Sequence, residues 1–185
     1  MSEDTKLSSN TTVAEYKAMV ARSDKDAIAN FILERFTERY ITPFSDKEIK
    51  HGFSMMSVSC LMIESLESFR QGWPNSNSRS ALAFAYFFDR SEHFEELRGN
   101  HQAFYKHIRC GLLHQAETTG GWKINRKASS LVNTEQKVIN ATKFMECLKK
   151  DLVDYVELLK SDEWDSQIWK KTRAKINHIC KQCES

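Results

Sequence analysis

The sequence predicts an all-α fold, an antiparallel, up-down bundle of about five to seven helices, on three observations. Gly and Pro together contribute only 8 of 185 residues, far below the usual level of about 12%, which disfavours turn-rich β architecture and low-complexity linkers. Apolar residues recur at three- and four-residue steps over several long stretches, the spacing of a helix face. A composition of 41% apolar and 28% charged residues supplies a core under a solvated surface. The length fits one domain, expected over 12–185 with its core at about 24–160 and a closing helix at about 163–182, after a flexible tail at 1–11.

The elements follow in order. A helical signal begins over Val13 to Val20, and Ser23 or Asp24 can cap a second run carrying Ile28, Phe31, Ile32 and Phe36. Pro43 breaks it. Ser45 with Glu48 three residues on reads as a capping box for a long helix, whose stripe is Ile49, Phe53, Met56, Cys60, Ile63 and Leu66 and whose end lies at Gly72 to Pro74. The segment 81–88, ALAFAYFF, is apolar on all sides, so the aromatic run Phe84, Tyr86, Phe87 and Phe88 is assigned to the core or a dimer interface. Asn100 can cap a helix from about His101 to Gln115. Thr118 to Gly121 then form a turn, and Trp122 to Arg126 can be extended. Val138, Ala141, Met145, Leu148, Leu152, Tyr155 and Leu159 form the seam of an amphipathic helix.

Charge and cysteine content narrow the function. With 27 basic and 25 acidic side chains the net charge is +2, so any nucleic-acid role rests on a local patch. Five cysteines, at 60, 110, 147, 180 and 183, make no disulfide framework. No apolar run reaches membrane-spanning length and no leader is visible, so a reduced, cytoplasmic protein is expected, with no membrane association. His178, Cys180 and Cys183 lie together, but three ligands without a second CxxC or His pair read better as a helix end with thiols than as zinc. There is no phosphate loop, GxGxxG, GxSxG or HExxH, and no metal or cofactor is expected.

The concentrated chemistry is YKHIRCGLLHQAETTGGWK at 105–123, which places Lys106, His107, Arg109, Cys110, His114, Gln115 and Glu117 on or just beyond one helix. This stretch resembles the HEPN superfamily, helical bundles whose ribonuclease members carry an Arg, four to six intervening residues and a His. RCGLLH matches with four. IRCGLLHQAETTGGW is also similar in wording to small bacterial and plasmid-borne HEPN proteins, and the resemblance covers about 24–160. Cys110 departs from the Asn, His or Asp that commonly follows the Arg in active members.

The resemblance implies a metal-independent endoribonuclease that cleaves single-stranded RNA by attack of the ribose 2′-OH, a toxin or antiphage effector with an antitoxin protein as a partner. The residue types suit it. Imidazole can move the protons, and a guanidinium fork matches phosphate oxygens. Five residues on an ideal helix put Arg109 and His114 about 140° apart. Either the helix unwinds near Gly111 or a homodimer shares the site, and the resemblance implies the dimer. His107 can line the same cleft. Glu64 and Glu67 fall in or beside an apolar stripe, where an unpaired carboxylate is costly; Glu64 is expected to orient Arg109. Lys106, Lys123, Arg126 and Lys127 can bind RNA phosphates, and Trp122 either stacks a base or, the better reading, lies in the core. The alternatives are a HEPN-like module that binds RNA, nucleotide or a partner protein without catalysis, and a purely structural helical protein.

Overall fold

The computed structural model describes residues 4–46, 48–49 and 51–184. Its helices are α1 (Val13–Ala21), α2 (Lys25–Phe36), α3 (Gly52–Gln71), α4 (Ser80–Arg90), α5 (His101–Phe104), α6 (Cys110–Gln115), α7 (Ala141–Ser161) and α8 (Gln167–Glu184). A five-residue π turn, Tyr105–Arg109, joins α5 to α6 as one rod. The all-α class therefore holds. Helix α7 packs against both α2 and α3, and α3 also lies on α4 and α8, so α3 is the central helix and carries a long run of buried side chains from Met55 to Arg70.

The rod at 101–115 has a readable cause for its π turn. Its buried side chains Phe104, Ile108 and Leu112 fall four apart, and on a helix of 3.6 residues per turn that stripe would drift by about 80°. In the π turn the Cys110 N–H donates to the Tyr105 carbonyl, five residues back. This slower winding removes much of the drift. Phe104 then stacks on Phe144 of α7, centroids 5.4 Å apart and rings 10° from parallel, inside a cluster that includes Phe84, Phe88 and Phe94.

Several expectations are corrected. The tail at 1–11 is packed where it is described: Leu7 is buried, its carbonyl accepts from Arg35 and Arg39, and Ser9 bonds to Glu38. No capping box forms at Ser45 and Glu48. The Ser45 hydroxyl turns back to the Thr42 carbonyl, Asp46 captures the Glu48 N–H, and α3 starts only at Gly52. Ile49 and Phe53 are consequently exposed rather than part of the stripe. Segment 81–88 buries Ala83, Phe84, Phe87 and Phe88 but leaves Leu82 and Tyr86 outside, so α4 has one buried face.

Val138 does not open the long seam. It belongs to β3 (Val138–Ile139), the middle strand of a small sheet with β1 (Lys123–Ile124, parallel) and β2 (Val132–Asn133, antiparallel). Helix α7 begins after it, with Asn140 as cap. Asn100 stands at the cap position of α5, but its side chain reaches the Glu96 carbonyl instead. At the C-terminus Cys180 is buried and Cys183 packs against the core within α8. No described helix is long and apolar enough to cross a membrane.

Candidate active site

Glu64 on α3 organises the site. One carboxylate oxygen accepts the Arg109 Nε–H at 2.8 Å, and the other accepts the Ser76 and Ser80 hydroxyls at 2.9 and 2.7 Å. With Glu64 only 6% exposed, these three donors replace the water that the carboxylate lost. Burial works against the charge on Arg109, and the Glu64 carboxylate more than offsets this, holding the guanidinium above its ordinary pKa. The Arg109 guanidinium also lies 5.5 Å from the Tyr105 ring centroid. Arg109 is a fixed, permanently charged fork.

The second carboxylate in the stripe, Glu67, has another partner. It is fully buried and pairs with Arg90 of α4, while Arg70 pairs with Asp151 of α7 at 3.3 Å. These pairs tie helices together away from Arg109.

His107 is held from the other side of the rod. Its Nδ1 lies 2.9 Å from the Thr119 hydroxyl and its carbonyl accepts the Thr119 N–H at 2.9 Å. The chain can return this closely because Ala116 adopts positive φ, and because two glycines leave room. A Cβ on Gly120 would stand 2.5 Å from His107 Nδ1, and one on Gly111 would stand 2.5 Å from the Glu117 carbonyl.

His114 is exposed near the end of α6. The backbone from Cys110 to Gln115 is regular helix, with Gly111 buried inside it. Unwinding at Gly111 therefore does not occur, and Arg109 and His114 keep their divergence of about 140°. Within one chain they do not converge. Gln115 and Glu117 are exposed, and Cys110 is half-buried beside Tyr105 and Arg109.

The basic residues separate into two places. Lys106 is exposed on the rod. Lys123 lies on β1, and Arg126 and Lys127 follow it to a cleft of about 680 Å³ beside the first turn of α3. Arg126 is fixed there by bonds to the Thr142 hydroxyl and the Ile49 carbonyl. Trp122 is in the core at 8% exposure and offers no stacking face. Among the described residues no group of His, Cys, Asp or Glu is arranged to hold a metal. The sequence reading missed Ser76 and Thr119, which sit in polar connections, and Ser80, the first residue of α4, none of which carries a periodic signal, and missed Phe53 as an exposed aromatic.

Comparison with known proteins decides nothing further. No family model, curated protein or solved structure matches the chain.

Proposed function

We propose that this chain is a metal-independent endoribonuclease of HEPN type acting on single-stranded RNA. The observation that carries the reading is the Arg109–Glu64 pair: a guanidinium fixed by a buried carboxylate on a neighbouring helix, five residues before an exposed His. A preorganised cation of this kind can stabilise the charge that builds on phosphate in the transition state. His114 removes the proton from a ribose 2′-OH, the 2′-oxygen bonds to phosphorus, and the 5′-oxygen leaves with a proton supplied by imidazole, giving a 2′,3′-cyclic phosphate. Because Arg109 and His114 diverge, the complete site belongs to a homodimer in which a second copy of the rod faces the first. The setting that goes with this reading is a cytoplasmic toxin or antiphage effector, held in check by an antitoxin protein.

The test is cleavage of single-stranded RNA in the presence of EDTA. The parent protein cuts, a substrate with a 2′-deoxy group at the cleaved position resists, and His114→Ala binds RNA without shortening it. Arg109→Ala loses both rate and affinity, because the cation meets phosphate in ground and transition states alike. Wild-type rates in both variants would remove the assignment, and a parent that shifts RNA without cutting it would mark a binding module. A strictly monomeric mass at micromolar concentration in solution scattering would remove the shared site.

A further inference from the structure

The exposed aromatic beside Arg126 and Lys127 is Phe53, not Trp122. Phe53 is 41% exposed and its neighbour Ile49 57% exposed, so the two form an adjacent apolar pair open to solvent. Both line the 680 Å³ cleft, together with Gly52, Arg126 and Lys127, with Glu48 as the carboxylate on its wall. The first turn of α3 opens onto the same cleft and has no side-chain cap, since His51 makes no capping bond. A helix N-terminus carries a partial positive charge.

Phe53 also bounds a second hollow of about 330 Å³, formed with Ser57 and Val58 of α3 and Leu112 and Ala116 from the end of the rod. The phenyl ring is therefore the ridge between a basic, partly apolar cleft and a depression that ends at Leu112 and Ala116, at the end of the rod that carries His114 on another face. A flat apolar ring flanked by cations suits a polymer with π-faces and a regularly spaced negative backbone. A duplex buries its base faces in its own stack and cannot use the ring.

We propose that Phe53 is a base-stacking platform on a single-stranded RNA track that enters at the Arg126–Lys127 cleft, crosses the ring and continues to the His114 end of the rod. Its destination rests on the endoribonuclease reading; the stacking does not.

The experiment is fluorescence anisotropy of a labelled single-stranded RNA dodecamer with the full chain carrying His114→Ala, so that the probe stays intact. Adding Phe53→Ala weakens binding about tenfold, the usual effect of losing one stacked base, whereas Phe53→Tyr stays within about twofold. Lys127→Ala lowers the slope of log affinity against log salt by about one. An RNA duplex of equal length does not respond to Phe53→Ala. Circular dichroism checks that each variant keeps its helices. Unchanged single-strand affinity in Phe53→Ala, equal loss in Phe53→Tyr, or no RNA binding by the His114→Ala parent overturns the track. If the wild-type protein cleaves while Phe53→Ala binds normally, the track falls and the nuclease reading stands. If wild type binds without cutting and Phe53→Ala loses affinity, the track stands and the nuclease reading falls.

Discussion

A carboxylate set into the apolar stripe of a helix must find donors or lose its charge, and Glu64 finds three. Glu64→Gln keeps the shape but leaves Arg109 facing a neutral amide. We expect it to cost about 1–3 kcal/mol, read as a lower urea midpoint at unchanged slope, with a parallel loss of RNA cleavage. The partnership with Arg109 was legible because Glu64 lies on the buried side of a helix and Arg109 lies in the segment where the candidate chemistry is concentrated. The two serines were not, since their placement depends on the turn after Gly72, where φ is +71°. Glu67 shows the limit of the same reasoning. Three residues beyond Glu64 it shares the helix side, yet it meets Arg90, and helical spacing alone does not say which cation a neighbouring helix will present. His107 and Thr119 were beyond reach for a similar reason: their contact requires the chain to fold back through Ala116 at positive φ.

Element boundaries are governed by a few side-chain bonds. Val138 stands three residues before Ala141 and fits the seam of α7 numerically, but the Asn140 side chain accepts the Thr142 and Lys143 N–H groups and so starts the helix after it. The same side chain donates to the Ala128 carbonyl at 2.7 Å, fastening the loop between β1 and β2 to the helix. Asn140→Ala should therefore cost about 1–2 kcal/mol, and amide exchange should rise both in the first turn of α7 and near Ala128. Protection lost at only one of the two places would show that the cap and the loop are not coupled. At Ser45 and Glu48 the opposite error arises. The residue types fit a capping box, but Asp46 competes for the Glu48 N–H through a short local turn. Such competition leaves no periodic trace.

At the scale of the whole molecule, the bundle was legible because its long helices repeat their apolar steps many times, whereas three strands of two residues each leave no pattern to count. Burying that many side chains also encloses acids. Burial pushes the Cys60 thiol and the Tyr16 phenol well above their ordinary ranges, and Tyr155 up to about 12. The native state keeps these protons at pH values where the unfolded chain releases them, so unfolding releases protons and stability falls as pH rises. The loss should begin above the ordinary thiol value of about 8.5 and steepen past the phenol value of about 10. Melting temperatures measured between pH 7 and pH 10.5 should drop across the upper half of that range; a flat profile would contradict the burial of these groups.

The π turn at 105–109 has a consequence for how this protein can change over generations. Most surface helices absorb a substitution more easily than a change of length, and here the contrast is softened at one place. Lys106 is exposed within the turn, and losing one position there would let the wide turn close into ordinary helix, whose four residues sweep nearly the angle that five sweep in the wider winding. Phe104 would keep its stack on Phe144, and Arg109 and His114 their mutual angle. The same loss inside α6 would turn His114 against Arg109 by about 100°, so changes of length within the rod are sorted by whether they fall in the turn or beyond it.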